Sequence, residues 1–237
     1  MPTEKLTLSE KIHRAAEQII ESESRLVIKA YGVIHSTEDF MRAFVRQVMQ
    51  RFNRSDLAPA VEIVIKELTM NAVKANFKKI YFAEAGLDME NPEQYENGMA
   101  AFRDIIDENI FVDYGKKARA AKLSVETIFD FDKDRVIIEV RNNTPMAEHE
   151  EKRAREKLDQ GLKCEDMAEF MLNSLDETEG AGMGLVLCLT TMRSAGIDPR
   201  LLSLYSDFKN ETVARVEIPL HAGYVPSRAR FQPALAG

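Results

Sequence analysis

The chain has 237 residues, 45% hydrophobic and 30% charged, enough for one large domain or two small ones with a core that needs no covalent staples. Its 32 Lys plus Arg against 39 Asp plus Glu give a net charge of −7, which argues against a nucleic-acid binder. Cys164 and Cys188 stand in no metal-ligand or CxxC spacing and read as buried free thiols. No apolar run approaches the roughly 20 residues of a membrane span, and the start MPTEKLTLSEK has no signal-peptide core, so the expected compartment is the cytoplasm.

No internal repeat or low-complexity linker interrupts the chain. Residues 8–23 read as an amphipathic helix with Ile12, Ala16, Ile19 and Ile20 on one face. Residues 25–31 alternate like a strand. Ser36 is placed to cap a helix carrying Phe40, Phe44, Val48 and Phe52, and Pro59 opens the next helix. Residues 86–123 read as loop plus short helices. LSVETIFDF and RVIIEV then form a hairpin about Asp132, Lys133 and Asp134. A polar helical stretch at 147–175 leads to a glycine turn at 180–184 and an apolar helix stopped by Gly196. A second hairpin closes around Lys209 and Asn210, and the tail from His221 is expected to be loosely ordered. Helices and hairpins without βαβ alternation predict an α+β sandwich, one mixed sheet with helices on one face.

The helix at 59–79 carries the chemistry. Val61, Val64, Leu68, Ala72 and Ala75 make its buried face, and Glu67, Asn71, Lys74 and Lys78 form a polar stripe flanking it. A solvated stripe would look the same. A carboxylate, a carboxamide and an ammonium at one rim can also position a water or act as base, ligate Mg²⁺ through oxygen, and neutralise phosphate. Further on, Gly180, Gly182 and Gly184 alternate and then open a helix. This spacing suits either a flexible turn or a backbone cradle for phosphate, and it is neither a Walker A loop nor a Rossmann fingerprint.

The run ELTMNAVKAN at 67–76 resembles the N-box of the GHKL (Bergerat-fold) superfamily of histidine-kinase-like ATPases, whose pattern is Glu-x-x-x-Asn-Ala-x-Lys followed by a small residue and His or Asn. GAGMGL at 180–185 resembles its G2 box. RNNTPM at 141–146 stands where the G1 box Asp-Asn-Gly-x-Gly would be, with Asn142 in place of the adenine-binding Asp, and Thr144 and Met146 in place of glycines. Thr212 resembles the threonine near adenine on the last strand.

The resemblance implies a two-layer α/β sandwich of the Bergerat type, with ATP and Mg²⁺ as cofactors. It makes Glu67 the catalytic base or water-positioning residue and Asn71 the Mg²⁺ ligand. Lys74, Asn142, Gly180, Gly182, Gly184 and Thr212 would bind the nucleotide, under a lid at 147–179. It covers about 25–80 and 124–220, within an ATP-binding domain at 25–220 carrying an insertion at 86–123 and a tail at 221–237.

The strand and helix directly before the N-box resemble the anti-sigma-factor serine kinase branch. His13, His35, His149 and His221 stand in no H-box and read as structural or surface residues. The implied function is phosphoryl transfer to a protein partner, or ATP hydrolysis, in signalling. The altered G1 box equally suits a nucleotide-sensing or nucleotide-blind interaction module. Residues 1–24 suit a dimerisation helix or a plain core or surface helix. The insertion, with Phe102, Ile105, Ile106, Ile110 and Phe111, suits a partner surface or a piece of the core.

Overall fold

The computed structural model describes residues 8–22, 25–32, 35–105, 108–166, 168, 170 and 183–230. Five strands, β1 (Leu26–Ala30), β2 (Val125–Phe131), β3 (Arg135–Asn142), β4 (Leu202–Ser206) and β5 (Thr212–Pro219), form one sheet in the order β1-β2-β3-β5-β4. The described helices are α1 (Leu8–Glu21), α2 (His35–Arg51), α3 (Ala58–Ala85), α4 (Pro92–Ile105), α5 (Glu108–Ala120), α6 (Glu148–Lys163), α7 (Met183–Ser194) and the short α8 (Ser227–Arg230). The architecture is the expected α+β sandwich.

The sheet is not mixed, as expected, but antiparallel at every pairing. Two tight hairpins supply two of these pairings. Asp132 Oδ1 accepts from the amides of Asp134 and Arg135 at 2.8 and 3.0 Å, and Asp207 Oδ1 accepts from Lys209, Asn210 and Glu211 at 2.7–2.9 Å. Each aspartate thereby replaces backbone partners in its turn.

Strand alternation sorts the two sheet faces. Val136, Ile138 and Val140 turn into the helical layer and are buried, as are Ala214, Val216 and Ile218. The opposite face carries ion pairs and meets the short α8: Lys29–Glu126, Arg141–Glu139, Arg215–Glu139 and Arg215–Glu217 lie on it, and Ser227 of α8 bonds Glu217.

α3 is the axle of the helical layer. At 28 residues it is about 42 Å long, runs past the expected end at 79, and stops at Gly86, which takes φ 64°. Besides the expected Val61, Val64, Leu68 and Ala72, it buries Ile65, Val73, Phe77 and Ile80, because it has neighbours on several sides. Ala75 is only half-buried and faces a cavity instead.

α2 begins at His35, so Ser36 lies inside its first turn and not at the cap. α1 lays Ala16 and Ile20 against the core, and Gln47 of α2 bonds the His13 ring at 2.9 Å. Residues 86–123 are more regular than expected: α4 and α5 pack along the C-terminal half of α3 through Phe102, Tyr114 and Phe77. Ile105 is partly exposed, and the side chains of Ile106 and Ile110 lie outside the described residues.

The tail is ordered at its start, against expectation. Glu217 is 1% exposed, and residues 221–230 fold back to satisfy it. Tyr224 OH donates to Glu217 Oε1 at 2.6 Å and the Ser227 amide at 2.8 Å, while Arg215 donates to Oε2 at 2.9 Å. A buried carboxylate needs these donors, and they hold it below the usual carboxylate range against the opposing effect of burial. Cys164 and Cys188 are both buried free thiols, as read from the sequence. No helix among the described residues is long and apolar enough to cross a membrane.

Candidate functional site

A cavity of about 480 Å³ opens between the helical face of the sheet and α3. Its volume lies within the range of small-ligand sites, about 300–1,000 Å³. Asn71, Lys74 and Lys78 line it from α3, Val140 and Asn142 from β3, and Thr212 and Ala214 from β5. Four of the sequence-predicted site residues, Asn71, Lys74, Asn142 and Thr212, therefore share one cavity, although they span 141 positions of sequence.

Glu67 and Gly184 complete the apposition. Gly184 sits in the first turn of α7, and a Cβ there would stand 2.7 Å from Glu67 Oε2 and 3.4 Å from Asn71 Nδ2. The bare glycine thus lets the start of α7 lie directly against the carboxylate and the amide of the α3 stripe. The thiol of the buried Cys188 is pushed up by burial and by the Glu67 charge. Gly180 and Gly182 lie outside the described residues, as does most of the expected lid beyond residue 166.

At the floor, β3, β5 and α3 are tied by a buried amide-hydroxyl network. Asn142 Nδ2 donates to the Thr144 carbonyl at 3.1 Å, and Thr212 Oγ1 donates to that carbonyl at 2.8 Å. Thr144 Oγ1 donates to Asn76 Oδ1 at 2.7 Å. Asn142 is 3% exposed and Asn76 1%. With its NH₂ directed at Thr144, Asn142 offers Oδ1 as a hydrogen-bond acceptor at the cavity floor, as a carboxylate would but without charge. The Thr144 hydroxyl thereby links the loop after β3 to the end of the 67–76 run.

The insertion supplies a wall that sequence reasoning missed. Tyr95, Met99, Phe102 and Arg103 of α4 line the same cavity. Tyr95 OH donates to Glu150 Oε1 at 2.9 Å, Lys78 Nζ pairs with that same oxygen, and Glu150 Oε2 accepts from the Ala147 amide at 3.1 Å. This clasp pins the start of α6 to α3 and α4 at once. Burial raises the Glu150 carboxyl, but Lys78, the Ala147 amide and the Tyr95 hydroxyl together outweigh it and hold the group below its ordinary range. Burial and the Glu150 charge push the Tyr95 phenol up. His149 lies edge-on to Tyr95, with ring centroids 4.3 Å apart.

The cavity walls are cationic in balance. Among the described residues Lys74, Lys78, Arg103, Arg153 and Lys157 line it, against the one lining carboxylate of Glu150. Arg153 also lies over the Tyr95 ring, 5.7 Å from its centroid. A concavity with an amide acceptor at its floor and cations along its walls suits an anionic ligand with a polar, flat end. Asn71 and Glu67 provide oxygens that could hold Mg²⁺ beside such a ligand. Among the described residues no cluster of three or more His, Cys, Asp or Glu forms a metal site by itself.

No family model matches the chain, and no solved structure matches it. It is similar to a protein of Treponema pallidum (strain Nichols) described as an uncharacterized protein, 29% identical over 211 residues. The match covers 89% of this chain and 40% of that protein, so the chain spans about two fifths of its relative's length.

Proposed function

We propose that this chain is a GHKL-type, Bergerat-like nucleotide-binding domain that takes Mg-ATP into the cleft between α3 and the sheet and uses it for phosphoryl transfer to a protein partner or for hydrolysis. The observation that carries the reading is the close approach of Gly184 to Glu67 and Asn71, since Asn71 also lines the cavity that holds Lys74, Asn142 and Thr212. Four separated stretches of sequence contribute, and those at 67–74 and at 142 bring groups that a magnesium nucleotide would use. Asn142 Oδ1 would accept from the adenine amino group. Lys74, with Arg103 and Arg153 at the rim, would neutralise phosphate. Asn71 would hold Mg²⁺, and Glu67 would orient the attacking hydroxyl or water. Phosphoryl transfer rests mainly on such positioning and charge neutralisation.

The all-antiparallel sheet and the helical wall from α4 are features of this chain beyond the family pattern. The test is a split between binding and turnover. Glu67→Ala is expected to retain nucleotide affinity and lose about 10²–10⁴ in rate, the usual worth of a positioned base. Unchanged turnover in that variant would remove Glu67 from the chemistry. Nucleotide binding with no turnover in the wild-type chain would leave a nucleotide-dependent switch.

A further inference from the structure

A second cavity, about 410 Å³, lies on the other side of α3, between α2 and α3 over the β1 edge of the sheet. It exists because the helical layer stops short of β1. Leu26, Ile28 and Ala30 point into that layer but are only half-buried, whereas Val136, Ile138 and Val140 of β3 are exposed by 2% or less. Ile28, Ala30 and Val125 form an apolar floor, and Met41, Val45 and Ile65 form the walls. Water in such a space finds few partners. Among the described residues Thr69 Oγ1, at the lining, is buried and has no hydrogen-bond partner.

The mouth has a definite charge. Glu62 of α3 is held by Arg46 at 2.6 Å and Arg42 at 3.7 Å from α2, and the other rim carboxylate, Glu38, is itself engaged. Lys66, one turn beyond Glu62, stands at the same rim with no ion-pair partner among the described residues. An apolar pocket with an uncompensated ammonium at its mouth is complementary to a molecule with an apolar body and one negative head.

We propose that this cavity binds a monoanionic amphiphile of the fatty-acid class, with its chain over β1 and its carboxylate at Lys66 beside Arg42. The site is separate from the nucleotide cleft and does not depend on it.

Calorimetry of the full chain with sodium dodecanoate, kept below micelle-forming concentration, tests this. Saturable one-site binding is expected, with dodecyltrimethylammonium at least about tenfold weaker because its head carries the opposite charge. Lys66→Glu, a surface change, should weaken dodecanoate about tenfold at an unchanged melting temperature. Thr69→Met, which puts a flexible apolar chain into the space, should weaken it at least as much. Absence of saturable dodecanoate binding up to about 1 mM would overturn the proposal. So would equal affinity for the cationic amphiphile, or wild-type binding in both variants.

Discussion

Replacing Gly184 by alanine separates the architecture of the cleft from its chemistry. The added Cβ would stand 2.7 Å from Glu67 Oε2, well inside the contact distance of about 3.5 Å, so the carboxylate must retreat by about 1 Å. It is the free end of a flexible side chain and can do so at a rotamer cost of about 0.5–1.5 kcal/mol. Alanine in place of glycine returns up to about 1 kcal/mol of helix propensity, less in a first turn. The net change is therefore about 1 kcal/mol or below, a melting shift of about 2–4 °C at this chain length. A 1 Å misplacement of a reacting group can cost about 10² in rate. Gly184→Ala should thus fold normally, melt within a few degrees of wild type, and turn ATP over about a hundredfold more slowly. Phosphate release and scanning calorimetry on the same sample read both quantities. A variant that melts like wild type and keeps its turnover would refute the claim that Glu67 acts from the position seen here.

Asn142→Asp introduces an acidic residue but sets a carboxylate oxygen against the Thr144 carbonyl that Nδ2 now serves at 3.1 Å. It should destabilise by about 2–3 kcal/mol in urea unfolding without tightening nucleotide binding, since a buried donor is lost and an unpaired charge gained. Glu150→Gln should cost about 3 kcal/mol at neutral pH, because it leaves Lys78 buried without its charge partner. The folded-state value of Glu150 is depressed, so its contribution is fully present above the unfolded value of about 4.3 and is lost as pH falls through the lower folded one. The stability gap between wild type and Glu150→Gln should therefore close on acidification below about pH 4, and a gap that widens there would contradict the assigned sign. Gly98→Ala would place a Cβ 2.5 Å from Phe82 Cζ, at a ring only 1% exposed, and should lower stability by about 1–3 kcal/mol in a thermal melt.

What the sequence disclosed follows from the range of the forces involved. The spacing of Val61, Val64, Leu68 and Ala72 is local, as is the turn at Asp132, Lys133 and Asp134 that joins two alternating strands, so the helix and the hairpin were legible. The polar stripe from Glu67 to Lys78 could be read as a rim because its angle to the apolar face depends on helix geometry alone. Strand direction across the sheet could not, since β1 pairs with β2 across nearly a hundred residues that carry no directional mark. The clasp of Tyr95, Glu150 and Lys78 was hidden for the same reason. Its members belong to three helices, and each alone reads as an ordinary surface residue. Glu217 alternates with Val216 and Ile218 along its strand, and its burial depends on a return of the chain by Tyr224 and Ser227 that no periodicity encodes. Gly184 was legible as a turn glycine, but its contact with Glu67 and Asn71 required α3 and α7 to be packed together.

Titration calorimetry of the wild-type chain with ATP, in the presence and absence of Mg²⁺, tests the central claim most directly. The account predicts one saturable site whose affinity rises with Mg²⁺ and falls when Asn71 is changed to alanine. Silence with ATP up to about 1 mM, or binding indifferent to both Mg²⁺ and Asn71, would contradict it.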